Sequence, residues 1–123
     1  MILTGRIVKG KQLGRTLGFP TANLQADTAA DCRRGVYAGL FRAEGWDAAR
    51  PCLANIGKHP TVPEGEPTIE AHLPGFCGDL YGLRVTIELT RFIREERKFA
   101  DLDALKAQIA ADIQSAMDIS KKI

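Results

Sequence analysis

The chain has 123 residues, 45% of them hydrophobic and 26% charged, with a net charge of +2. That length suits one compact domain able to bury a core without a disulfide or structural metal. Acidic and basic residues are interleaved, so no basic stripe points to a nucleic acid partner.

Cys32, Cys52 and Cys77 are odd in number and widely spaced. This predicts free thiols in a reducing compartment, with no zinc knuckle or dithiol redox pair. The start, Met1-Ile2-Leu3-Thr4-Gly5-Arg6, lacks the apolar run of a signal peptide. No stretch approaches the roughly 20 apolar residues that span a bilayer. The expectation is a cytoplasmic monomer with no membrane partner.

In chain order, Ile2 to Val8 reads as a first strand, followed by the glycine-rich Gly10-Lys11-Gln12-Leu13-Gly14-Arg15-Thr16-Leu17-Gly18-Phe19-Pro20. Its glycines let successive backbone N–H groups face one anion, and Arg15 can add a charge-assisted contact to phosphate. It is not a Walker A loop. Three residues separate Gly10 from Gly14 instead of four, Arg15 stands in place of lysine, and Pro20 opposes a following helix. By spacing alone an ordinary glycine-rich turn is the favoured reading of the stretch.

In Pro20-Thr21-Ala22-Asn23, the Thr21 hydroxyl and Asn23 amide oxygen lie two residues apart and share a side if the segment is extended. Two neutral oxygens suit Mg²⁺ when nucleotide phosphates and waters complete its shell. A local Asx-type turn is the alternative.

Val36 to Phe41 and Cys52 to Ile56 are short apolar runs that read as strands. Thr68 to Leu73 alternates, with Ile69, Ala71 and Leu73 on one face and Glu70 and His72 on the other. If the polar face turns inward, Glu70 projects into a barrel mouth as a general base; otherwise it is a solvated surface group. Leu83 to Ile93 alternates as well and is long enough to bend or bulge. The charged run Arg91-Phe92-Ile93-Arg94-Glu95-Glu96-Arg97-Lys98-Phe99 reads as a solvated connector, unless Phe99 offers its ring to a planar ligand.

The period then changes. Leu102, Leu105, Ile109, Ile113 and Ala116 or Met117 recur at helical spacing, with Asp101 as N-cap, Asp103 in the first turn, and Lys106, Gln108, Asp112 and Gln114 on the surface. Short strands and one terminal helix predict a small antiparallel barrel over about 1–99, with the helix over about 101–118 lying on the wall or across a mouth.

The segments Gly5 to Gly10, Gly14 to Leu24, Gly35-Val36-Tyr37-Ala38, Ala54-Asn55-Ile56-Gly57, Pro60-Thr61, Ile69 to Leu73, Gly78-Asp79-Leu80-Tyr81-Gly82 and Arg91 to Phe99 together resemble the riboflavin kinase family, in the family's order and over nearly the whole chain. The family also supplies the C-terminal half of bifunctional FAD synthetases. The resemblance implies an all-β fold, a six-stranded antiparallel Greek-key barrel with a C-terminal α-helix, in a single domain over 1–123. It implies an enzyme that moves the γ-phosphoryl group of ATP to riboflavin, with FMN and ADP as products and Mg²⁺ as cofactor. Glu70 would be the base, and Thr21 and Asn23 the metal ligands. Gly10, Gly14, Arg15, Gly18, Pro20, Thr21 and Asn23 would bind nucleotide, and Arg94, Glu96 and Phe99 the flavin. No adenylyltransferase half is visible, so the expected product is FMN and not FAD.

Pro74-Gly75-Phe76-Cys77, Lys58-His59 and Ala100 depart from the family pattern without removing any of these groups. A flavin- or nucleotide-binding barrel without turnover is the main rival. A single-strand nucleic acid binder would need a basic groove lined with aromatics, which five Phe, two Tyr and one Trp at net charge +2 do not supply.

Overall fold

The computed structural model describes residues 1–8, 21–27, 32–57, 68–76, 78–95 and 100–121. Six strands form, β1 (Ile2–Val8), β2 (Ala22–Ala26), β3 (Gly35–Ala43), β4 (Arg50–Gly57), β5 (Thr68–His72) and β6 (Arg84–Arg94), followed by one helix, α1 (Leu102–Lys121). They close into an antiparallel barrel in the order β1-β2-β5-β4-β3-β6. Strands β3, β4 and β5 run as a meander and β6 returns beside β3, which is a Greek key. Closure leaves no free sheet edge.

The alternation read from sequence decides which side chains fill the barrel. Leu3, Ile7, Leu24, Ile56, Ile69, Ala71, Val85, Ile87 and Leu89 point inward into one buried cluster around Phe41, which is fully buried. Across the interior, Ala22, Ala71, Ala54 and Tyr37 are successive cross-strand partners, so small side chains make room for the tyrosine ring. That ring packs edge-on against Phe92 at 5.2 Å between centroids. Strand β6 shifts register against β3 between Val36 and Tyr37 and again between Ala38 and Gly39, the irregularity expected of so long a strand.

Strand β2 was not legible as a strand in its own right. Its one large apolar residue is Leu24, and it is held by β1 on one side and β5 on the other. The approach of β1 is close at Gly5, where an added Cβ would lie 2.1 Å from the Gln25 carbonyl oxygen and 2.8 Å from the Ala26 Cα. Both obstacles are backbone, and the stretch of β2 just before them, Ala22–Leu24, is held from its far side by β5. Gly5→Ala is therefore expected to cost about 1–3 kcal/mol, by forcing the strands apart. A urea midpoint equal to the parent's would show that the contact is looser than this geometry.

Helix α1 begins where the sequence placed it. The Asp101 carboxylate accepts a hydrogen bond from the Ala104 N–H at 2.8 Å, which is N-cap geometry. The helix lies on the outer wall over β3 and β4, where Ala116 meets Val36, Ala38 and Leu53, with Ile113 and Ile93 alongside. These strands are thus apolar on both faces where the helix covers them, which is why β3 shows little alternation.

One reading of the helix needs correction. Asp112, expected on the surface, is only 2% exposed. Its carboxylate accepts hydrogen bonds from Arg94 Nε at 3.0 Å to both oxygens, from Arg94 Nη2 at 2.7 Å, and from Gln108 Nε2 at 2.9 Å. A buried charge needs such partners, and the last residue of β6 supplies them together with Gln108 one turn back on the helix.

Candidate active site

Strand register places the candidate residues in one line. Asn23 on β2 pairs with Glu70 on β5, and Glu70 pairs on its other side with Asn55 on β4. The line continues from Asn55 to Val36 on β3 and from Val36 to Arg94 on β6. Directly paired residues have their Cβ atoms about 5 Å apart on the same face. Asn23, Glu70 and Asn55 therefore stand side by side.

The face they share is the outer one. Ile69 and Ala71 flank Glu70 in sequence and point into the core, while Val36 at the other end of the line lies under the helix. Of the two placements open to Glu70, the outer one is found: the lumen is filled with apolar side chains, and Glu70 is half-buried on the wall. Sequence alternation gives the parity along β5, and the apolar core shows which parity faces inward.

Thr21 directly precedes β2 and is half-buried, two residues from Asn23 and so on the same side at strand spacing. Asn23 and Glu70 are thus brought together, with Thr21 two residues before Asn23 at the end of the strand. Among the described residues no group of three or more His, Cys, Asp or Glu side chains is placed to hold a metal ion. The oxygens of Thr21 and Asn23 are hard donors that fit Mg²⁺ sharing its shell with phosphates and water, and a soft or tightly caged metal would be ill served.

Arg94 belongs to the same line but lies three strands round the barrel from Glu70. Its guanidinium holds Asp112, and its Nη1 donates to the Glu95 carbonyl at 3.0 Å. Glu95 also pairs with Arg33, whose guanidinium sits 4.2 Å from the centre of the Phe92 ring. Gly35, with φ of +148°, lets β3 pass beneath this knot, since a Cβ there would lie 2.4 Å from the Arg94 carbonyl oxygen. The start of the connector after β6 is thereby pinned to the helix and to the beginning of β3. Gly10, Gly14, Arg15, Gly18, Pro20, Glu96 and Phe99 lie outside the described residues.

Sequence reasoning did not single out Asn55, the partner of Glu70 on β4. It stood within the Ala54-Asn55-Ile56-Gly57 segment, but nothing in its spacing set it apart. What sets it apart is structural: the Oδ1 atom is buried and accepts no hydrogen bond among the described residues. The thiols contribute nothing visible here. Cys32 and Cys52 are free, and burial pushes the Cys52 thiol up to about 12.

Fold and site together define a small closed barrel whose polar centre, a carboxylate between neutral oxygen donors, lies on the wall beside a docked helix. The family model described as flavokinase, riboflavin kinase, matches residues 1–120. The chain belongs to the riboflavin kinase family. It is 43% identical over 116 residues to the bifunctional riboflavin kinase/FMN adenylyltransferase of Escherichia coli strain K12, covering 94% of this chain and 37% of that protein. The chain thus spans little more than a third of that curated relative. The crystal structure of riboflavin kinase from Trypanosoma brucei superposes with a TM-score of 0.68 at 28% identity, over 98% of this chain and 80% of that one. A Streptococcus pneumoniae structure described as a macrolide-efflux protein superposes with a TM-score of 0.85 at 30% identity, over 94% of this chain and 38% of that one. The six-stranded barrel with a C-terminal helix agrees with the fold that the motifs implied. Among the described residues no helix is long and apolar enough to cross a membrane.

Proposed function

We propose that this chain catalyses Mg²⁺-dependent transfer of the γ-phosphoryl group of ATP to the terminal ribityl hydroxyl of riboflavin, giving FMN and ADP. The observation that carries the reading is the pairing of Asn23 with Glu70 in a chain of this family. It sets a proton acceptor beside a pair of oxygen donors suited to a phosphate-bound cation.

In this reading Glu70 accepts the proton of the ribityl hydroxyl as its oxygen forms the new P–O bond. The bond between the γ-phosphorus and the bridging oxygen breaks, and ADP leaves with that electron pair. Phosphoryl transfer asks the protein for alignment and charge stabilisation more than for covalent help. Thr21 and Asn23 would hold Mg²⁺, which when bound neutralises charge on the phosphates. The loop from Gly10 to Gly18 with Arg15, together with Pro20, covers the nucleotide. Glu96 and Phe99 hold the flavin, and Arg94 fixes the connector that carries them. The partners are small molecules, and the protein acts as a cytoplasmic monomer.

The test is incubation with riboflavin, ATP and Mg²⁺, followed by chromatographic separation of the flavins. FMN should accumulate, and a chelator in excess of Mg²⁺ should abolish it. Binding of riboflavin without FMN formation would favour a flavin binder that lacks turnover. Neither binding nor turnover would mean that only the fold is shared.

A further inference from the structure

Asn55 carries an inference that rests on the kinase reading and extends it. Its Oδ1 is buried with no hydrogen-bond partner among the described residues, although the residue as a whole is only half-buried. A buried carbonyl left unpaired costs free energy, so such an atom calls for an explanation. Neither residue directly opposite can satisfy it. Val36 has no donor, and Glu70 as a carboxylate only accepts. Backbone N–H groups on either side are engaged in the ladders of β3 and β5.

The position is specific. Asn55 stands where the helix-covered part of the wall, Val36 and Leu53 beneath Ala116, gives way to the polar part at Glu70 and Asn23. Two acceptors thus stand side by side, with Cβ atoms about 5 Å apart. Adjacent hydroxyls of a polyol chain are two donors a few ångströms apart. When the terminal hydroxyl donates to Glu70, the next hydroxyl along the chain falls toward its neighbour in the row.

We propose that Asn55 is a substrate-orienting residue whose Oδ1 accepts a hydrogen bond from the ribityl hydroxyl adjacent to the one phosphorylated. The contact fixes rotation about the last carbon–carbon bond of the side chain, so that the terminal oxygen is presented to the γ-phosphorus. It selects acceptors bearing a vicinal diol end over simple terminal alcohols.

The test compares riboflavin with its 4′-deoxy analogue, which keeps the terminal hydroxyl and lacks the neighbouring one. In the parent protein the analogue should lose roughly tenfold or more in kcat/KM. Asn55→Ala should lose a similar factor on riboflavin and then treat the two flavins alike within about threefold. Asn55→Ser, which keeps an acceptor, covers the case in which the alanine variant does not fold, and should retain part of the discrimination. Equal use of both flavins by the parent would overturn the proposal. So would a variant that keeps the parent's full discrimination, since Oδ1 would then serve a water or another part of the chain. Because riboflavin turnover by the parent is measured first, failure of the Asn55 role is separate from failure of the kinase reading.

Discussion

Glu70→Gln is expected to lower kcat for FMN formation about 100-fold while leaving the folded state and riboflavin affinity nearly unchanged. General bases contribute typically about 10²–10⁴-fold, and the nature of phosphoryl transfer selects the lower end. In a loose transition state the attacking oxygen has formed little bond to phosphorus, so its proton has become only slightly acidic. The carboxylate then acts first by orienting the hydroxyl and second by taking the proton late. Glutamine retains an acceptor oxygen and so retains part of the orientation. Glu70→Ala removes both and should fall further, to about 10³-fold below the parent. Stability should change by less than about 0.5 kcal/mol in the glutamine variant, because the side chain is half-buried on the outer wall and not in the core. Steady-state kinetics and urea titration of both variants decide the matter. A glutamine variant within a few-fold of the parent would show that Glu70 is no base.

The fold was legible where one face is buried and one is not. Ile69, Glu70 and Ala71 alternate because β5 has a filled lumen on one side and a polar wall on the other. Strand β3 was harder, since helix α1 covers the outer side of Val36 and Ala38 and makes both faces apolar. Strand β2 gave almost no signal: Ala22 to Ala26 is held extended by pairing to β1 and β5, and no local periodicity reports such long-range support. The same gap hid Asp112. Helical spacing placed it beside surface residues, and only the return of β6 brings Arg94, 18 residues away in sequence, against its carboxylate.

The site was legible in a different way. Spacing put Thr21 and Asn23 on one side and Glu70 on a polar face, but it could not distinguish these from a turn and a solvated glutamate. The roles proposed for them rest on the family motifs. What the structure adds is adjacency, because Asn23 and Glu70 are far apart in sequence and direct partners in the sheet. It also draws notice to Asn55, whose proposed role rests on an atom unsatisfied among the described residues and not on a pattern. Burial of a single oxygen depends on the packing of several elements, so no reading of one strand could have found it.

The Arg94–Asp112 pair leads to the second large effect, on stability. Among the described side chains, helix α1 offers the wall a modest apolar footprint, with Ala116 at its centre, so the ion pair has a large share in docking it. Asp112 is 2% exposed and the Arg94 side chain 17%. Replacing Asp112 by alanine leaves a guanidinium mostly withdrawn from water without its counter-charge, a loss of about 3–5 kcal/mol. Arg94 keeps some access to solvent, which favours the lower figure. Against the total stability of a domain, about 5–15 kcal/mol, that is a large fraction, and Tm should fall by on the order of 10 °C. Arg94 also holds the Glu95 carbonyl at the start of the connector. The KM for riboflavin should therefore rise even at temperatures where the variant is folded. The double variant Arg94→Met with Asp112→Leu separates the two consequences. Apolar groups of similar size remove both buried charges, so most of the lost stability should return, while the connector stays unpinned and the KM stays high. Recovery of both would mean that the pair serves only the fold. A single Asp112→Ala variant within about 1 kcal/mol of the parent would mean that the pair contributes little net stability, and that apolar contact alone holds the helix.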